Sequence, residues 1–425
     1  VSTEIHLGGL VLPLPHDSYF DYAALSDRVM ETAGDRPNTD TLPILADPAA
    51  DHLDAVLASR RADVDEKHRR VTAFLEQNHL DALVLGRADS LAWFTSGGDL
   101  GQSTLGGDPA SVFLFVNKVS RAILCDNVQS ARVFEEELAG LGFQLKERPW
   151  HDDPLRAVAE IGHNKRVATD GAISVPGWPD LLPRLRLLRC ALTKLERQRM
   201  RELGRTLTLA VEATCRNFQP GETEADLAGH LAHRLLREGV VPVDLRVAGD
   251  DRMSRYRQPM FKSAPIAQRA TISAVGRRRG LCASVTRIVS FGPPPAGVRD
   301  AHGLAAMIDA TCLYFSRPGE TVGGVFKRAR RIYEKFDHAD EWMLDYQGSL
   351  IAYSPKEFAF VPDSPQVLGI DHALRWAPSV GGTRSEDTVV IDSRGYEVVT
   401  EAQVWPKMEV VVKGFPIARP AILER

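Results

Sequence analysis

Residues Thr271–Phe291 read TISAVGRRRGLCASVTRIVSF. The stretch predicts two β-strands joined by a short basic turn, with Arg277–Arg279 solvated at its tip. If the second strand is regular, Cys282, Ser284 and Thr286 share one face. Cys282 is expected to be a small buried residue rather than a nucleophile, since no histidine lies near it in sequence. Arg287 is expected to be a buried structural cation paired with a carboxylate.

The chain around this hairpin is long and ordinary in composition. Its 425 residues leave room for two or three domains with substantial cores. With 44% hydrophobic and 25% charged residues it reads as a globular protein. A formal net charge of −4 points to neither nucleic acid nor an anionic membrane surface. The five scattered cysteines include no CxxC, which argues against a disulfide framework or structural zinc and favours a reducing compartment. No apolar run is long enough to span a membrane, and Val1–Leu14 shows no signal-peptide pattern. The expected location is cytoplasmic.

The reading divides the chain into three parts. Residues 1–60, punctuated by Pro13, Pro15, Pro37, Pro43 and Pro48, form an arm with weak helical character over Tyr22–Thr32. Such an arm packs along the body or across a partner, and a homodimer is expected. Residues 61–180 alternate helix and strand and read as a small α/β domain, in which Trp93 and Phe94 are expected to pack in the core. After a proline-punctuated boundary, residues 188–425 carry a repeat. Pro-Gly-Glu-Thr occurs at Pro220 and again at Pro318, each time between two helical patterns, and strands follow both. This is an internal duplication of helix pairs and strands. Thr193-Lys-Leu-Glu196 is a capping box that opens the first helix.

On the hairpin the chain resembles the creatinase, prolidase and aminopeptidase P family, whose fold is known as pita-bread. The shared frame is Gly280, Thr286 and Arg287, and the resemblance extends over most of the chain, most strongly between Arg252 and Thr400. It implies an α/β (α+β) architecture: a small amino-terminal α/β domain and a pseudo-duplicated pita-bread domain. Ser90–Gly97 resembles the strand-to-turn segment of the family's amino-terminal domain. The family holds two divalent ions with two aspartates, a histidine and two glutamates. In this chain the matching positions are Ser273, Ser284, Ser349, Ala377 and Glu386. One carboxylate and neutral hydroxyls cannot hold a dinuclear centre, so no metal or other cofactor is expected.

Creatinase is the family's metal-free precedent, but its histidines are also replaced. The resemblance places Gln258 at one histidine position and Lys356, before Glu357, at another. Glutamine cannot shuttle a proton near neutral pH. The polar residues still expected around the cleft are Asp345, Tyr346, Glu357 and Glu386 as candidate catalytic groups. Arg255, Tyr256, Arg257, Gln258, Ser273, Ser284, Ser349 and Trp376 are candidate substrate contacts. If Arg255–Pro259 is extended, Tyr256 and Gln258 share one face and the two arginines the other. Glu386 is expected to pair with Arg384 or another arginine. Arginine beside aromatic and acidic groups suits a small carboxylate-bearing ligand. Two readings of function follow. One is a metal-independent creatinase-like enzyme of a specialised pathway, acting on a C–N bond of a small amino-acid-like molecule by hydrolysis or rearrangement. The other is a catalytically inactive pseudo-peptidase that binds a partner, as in the peptidase-like domain of the FACT large subunit.

Overall fold

The computed structural model describes strands His6–Leu7 and Leu10–Val11, residues 48–100 and residues 112–425. The chain divides into two units, Val1–His52 and Leu53–Arg425, and all that follows concerns the second. The expected helix over Tyr22–Thr32 lies outside the described residues.

Helix α1 (Pro48–Gln77) leads into a five-stranded sheet made of β1 (Ala82–Leu85), β2 (Phe113–Asn117), β3 (Arg121–Asp126), β4 (Gln144–Arg148) and β5 (Val167–Thr169). Their order is β4-β3-β2-β1-β5. Between β1 and β2 the chain forms helix α2 (Ala88–Phe94) rather than the expected strand and turn. Trp93 and Phe94 are buried in the core there, as the sequence suggested.

Helix α3 (Leu182–Cys190) connects this layer to the duplicated region. Helices α4 (Lys194–Asn217) and α5 (Glu224–Arg237) form the first pair, α6 (Ala296–Phe315) and α7 (Val322–Lys335) the second. The repeated Pro-Gly-Glu-Thr makes the same turn twice. Gly221 and Gly319 take φ of +96° and +90°, which glycine adopts without strain. Gly221 donates its N–H to the Ile266 carbonyl and Gly319 donates to that of Leu368. Thr223 and Thr321 then cap α5 and α7, each accepting a backbone N–H on its hydroxyl.

A nine-stranded sheet runs across both halves. Its main strands are β6 (Val241–Gly249), β7 (Arg269–Arg278), β8 (Leu281–Ser290), β9 (Gly348–Leu350), β10 (Phe358–Ala359), β11 (Ala373–Trp376) and β12 (Asp387–Ile391). The order β10-β9-β11-β12-β8-β7-β6 joins the halves at the β12–β8 pair. The β7–β8 hairpin turns through Arg279 and Gly280, both with positive φ, a two-residue turn that matches the twist of the strands. A Cβ at Gly280 would stand 2.6 Å from that of Ala92 and 2.8 Å from the Tyr353 ring, so the turn lies tight against α2.

One buried cluster ties α1 to the second sheet. Lys67 Nζ lies 2.6 Å from Asp63 and 2.7 Å from Glu196, and Tyr353 donates its hydroxyl to Glu196 at 2.6 Å. Glu196 also closes the expected capping box, accepting the Thr193 N–H at 2.7 Å. Lys67 is fully buried, so removing its charge leaves two sealed carboxylates uncompensated. Lys67→Met is therefore expected to cost about 3–5 kcal/mol in a urea unfolding titration. A loss under about 1 kcal/mol would contradict this account of the cluster.

Candidate active site

The strand register brings the matched positions together. Thr286 pairs with Ser273 and Ser284 with Val275 across β7–β8, while Ser349 pairs with Arg375 across β9–β11. Glu386 sits just before β12, where the halves meet, and is almost fully buried. Its carboxylate accepts hydrogen bonds from Ser284 Oγ and from Thr286 Oγ1, the latter at 2.7 Å. Ser273 Oγ lies 2.7 Å from the same Thr286 hydroxyl.

The countercharge of Glu386 is Arg375. Its Nη1 is ion-paired with Glu386 and reaches Ser284 Oγ at 3.2 Å, and its Nε reaches Ser349 Oγ at 3.3 Å. Three positions where the family has metal ligands therefore hold one guanidinium, and a fourth, Ser273, supports it through Thr286. Arg384 adds a second cation 3.8 Å from Glu386. Burial pushes the Glu386 carboxyl up, but Arg375, Arg384 and the two hydroxyls outweigh it and hold the group at about 2. The donor set does not fit a dinuclear metal centre: three hydroxyls, an alanine and a single carboxylate already neutralised by arginine. Among the described residues no cluster of three or more His, Cys, Asp or Glu could hold a metal ion.

Beside Arg375 opens a cavity of about 130 Å³. The sequence-derived candidates Gln258, Ser273, Ser284, Tyr346 and Glu386 line it. Asp345 lines an adjoining hollow instead, ion-paired with Arg384 and accepting from Gln258, whose carbonyl accepts in turn from Arg246. Arg246 also pairs with Asp244 at 2.8 Å. The Asp345 and Tyr346 side chains are held by different partners. The carboxylate points inward to Arg384, whereas Tyr346 is 61% exposed with its ring beneath Lys356, 3.8 Å from ring centroid to Nζ. Lys356 has no carboxylate within ion-pair distance among the described residues. Burial, then Arg375 and Arg246, lower its affinity for a proton.

Other candidates stand elsewhere. Glu357 is sealed against Arg189, with bonds of 2.9 and 2.7 Å, and Arg189 also holds Asp89 beside α2. It joins the amino-terminal layer to the second sheet instead of facing the cavity. Trp376 is core, donating its indole N–H to Ser316 Oγ at 2.9 Å and packing on Phe360. Residues 255–258 are not a strand: Asp251–Arg255 is a short helix followed by a bend, so the expected alternation fails. Gln258 still reaches the cavity. Tyr256 and Arg257 border the same adjoining hollow, where Arg257 pairs with Glu341. Arg255 stacks over Tyr256 and lines neither space. Sequence reasoning passed over Arg375, Arg246 and Asp244, although period two marks each. Arg375 is the polar position between buried Leu374 and Trp376, and Asp244 and Arg246 share a face of β6.

No protein-family model matches the chain. It is 20% identical over 353 residues to an uncharacterized peptidase of Staphylococcus haemolyticus, covering 79% of this chain and 98% of that relative. A dipeptidase from Mycobacterium ulcerans superposes with a TM-score of 0.68 at 20% identity, covering 80% of this chain and 96% of its own. The N-terminal domain of a FACT complex subunit from Cicer arietinum gives 0.57 at 13% identity, covering 80% and 97%. The chain thus has the pita-bread fold, shared with solved dipeptidases, prolidases and an X-Pro aminopeptidase. No helix among the described residues is long and apolar enough to cross a membrane.

The Arg375–Glu386 pair sets a pH dependence. Because the folded carboxyl is depressed from 4.5 to about 2, its stabilisation is complete above the unfolded value and lost as pH falls through that interval. Arg375→Gln raises the folded value, so it is expected to cost about 3 kcal/mol near neutrality and to move acid unfolding to higher pH. Thermal melts of both proteins between pH 2 and pH 7 check this; superimposable acid limbs would contradict it.

Proposed function

We propose that the cavity binds a small amino-acid-like monoanion without divalent metal, and that the protein is a creatinase-like enzyme acting on a C–N bond of that molecule by hydrolysis or rearrangement. The observation that carries this reading is a charge balance. Asp244 offsets Arg246, Asp345 offsets Arg384 and Glu386 offsets Arg375. Lys356 remains as the one cation of the lining without a carboxylate among the described residues. A single ligand carboxylate completes the set, held by Lys356 and by the edge of Arg375 not engaged with Glu386. The space is small beside the roughly 300–1,000 Å³ of drug-sized sites, which favours a compact ligand.

The chemical roles narrow accordingly. Glu386, held near 2, is a fixed anion that orients Arg375 and cannot accept a proton near neutrality. Asp345 positions Gln258 and Arg384. Proton transfer to or from the leaving nitrogen falls to Lys356, whose ammonium is made more acidic by its surroundings, with the Tyr346 hydroxyl as its neighbour. The proposed assembly is a cytoplasmic homodimer.

A second reading, a pseudo-peptidase that only binds, is favoured by the engagement of Gln258, Asp345 and Glu386 in internal pairs. The two part on turnover. Calorimetric screening of small amino acids and their N-substituted derivatives is expected to find a ligand whose affinity falls about tenfold or more in Lys356→Gln. For the enzyme reading, Lys356→Gln and Tyr346→Phe also abolish or strongly slow product formation measured by mass spectrometry. A ligand bound equally well by Lys356→Gln would sink the site assignment, and binding without turnover would leave the second reading standing.

A further inference from the structure

The strands that floor the cleft run on past it into a second cavity. Across β7–β8 Arg277 pairs with Cys282, two positions beyond the Val275–Ser284 pair, so Arg277 shares the face of Ser273 and Ser284. There a space of about 370 Å³ opens between the hairpin residues Arg277, Arg278 and Arg279 and the Gly97–Gly98 turn of the amino-terminal layer. The sequence suggested a solvated basic turn, but Arg277 and Arg278 are half-buried and only Arg279 is exposed.

Positive charge is in excess among the described residues of this cavity, where Arg277, Arg278 and Arg279 face Asp99 and Glu137. Among the described residues none of the three arginines has a carboxylate within ion-pair distance, and Arg278 reaches only Thr206 Oγ1 at 3.5 Å. Glu137, on the cavity wall, is engaged by Arg132 at 3.6 Å and accepts the Asp99 N–H at 3.0 Å. Asp63, a buried acid that acts on Arg60 and Arg199, holds Lys67. Glu202 and Glu238 act on Arg278 from a distance. Two more arginines stand behind the turn. Arg60 donates to the Glu137 carbonyl at 2.8 Å, and Arg199, 6% exposed, donates to that of Ser96 at 2.8 Å. The Arg199 Nε is buried without an acceptor. Burial and mutual repulsion lower the proton affinity of Arg60, Arg199 and Arg278 alike. Three guanidinium groups on the wall against two carboxylates, with Arg60 and Arg199 close behind, leave an excess of positive charge that suits an anion.

We propose that this second cavity binds a phosphate-class oxyanion through Arg277, Arg278 and Arg279. Guanidinium groups match tetrahedral oxyanions geometrically, and a tetrahedral anion presents oxygens to three guanidinium groups at once where a monocarboxylate has only two oxygens. The site is separate from the one proposed for Lys356 and Arg375. Pyrophosphate and inorganic phosphate, titrated calorimetrically into the full chain at low ionic strength, are the probes. Saturable binding is expected, weakened at least about tenfold in Arg277→Gln/Arg279→Gln and retained in Lys356→Gln. Circular dichroism and urea unfolding confirm that each variant is folded. Unchanged affinity in the double variant, no saturable binding by the wild-type chain, or loss of binding in Lys356→Gln would each overturn the proposal. If the double variant does not fold, Arg278→Gln alone is expected to weaken binding and salt to compete it away; failure of either also overturns it.

Discussion

Glu386 is a carboxylate sealed at the seam of a β-sheet, and the cleft is arranged to keep it ionised. A buried carboxylate without a partner would be costly or would take up a proton. In the family the chain resembles, divalent ions supply the compensating charge. Here a neighbouring strand supplies it: Arg375 lies across Glu386, Ser284 and Ser349, and Arg384 stands behind. Replacing other ligands by serine and alanine removes negative charge that one guanidinium could not balance. On the correspondence that the resemblance implies, the neutral residues at Ser273, Ser284, Ser349 and Ala377 and the presence of Arg375 belong to one electrostatic balance.

The adjacent carboxylate shows the same solution on the opposite face of the sheet. Asp387 lies 3.1 Å from Arg287 and 2.8 Å from Arg419, and Arg419 continues to Asp309 on α6. Arg287 also approaches Glu212 on α4 at 3.6 Å. Glu386, just before β12, and Asp387, its first residue, therefore point to opposite sides, each between two arginines. Glu386 faces the cleft cavity, whereas Asp387 is held among groups from α4, α6 and the carboxy-terminal hairpin Lys407–Pro420, beside a separate hollow lined by Tyr396 and Arg419. These ion pairs fix the strand position from which Glu386 orients Arg375.

Much of the fold was legible because local signals agreed with one another. The two Pro-Gly-Glu-Thr turns, the Thr193 capping box and the Arg279–Gly280 hairpin are each set by a few adjacent residues, and each formed where expected. Misplaced features depend on partners distant in sequence. Glu357 looked like part of a catalytic pair, but its fate is set by Arg189, and Trp376 is claimed by Ser316 and Phe360. Arg255–Pro259 was read as extended, yet a short helix ends there. Arg375 escaped notice because β11 is only four residues long and the resemblance directs attention to the ligand position Ala377. Its role emerges only when β9, β11 and β12 are placed side by side.

We infer that Arg375 supplies the countercharge that divalent ions supply in the family the chain resembles. Native mass spectrometry of the full chain, purified without chelator and then incubated with manganese, cobalt or zinc, tests it most directly. The account predicts a chain mass with no stoichiometric divalent ion before or after incubation. Two ions per chain, retained through buffer exchange and lost on chelation, would contradict it.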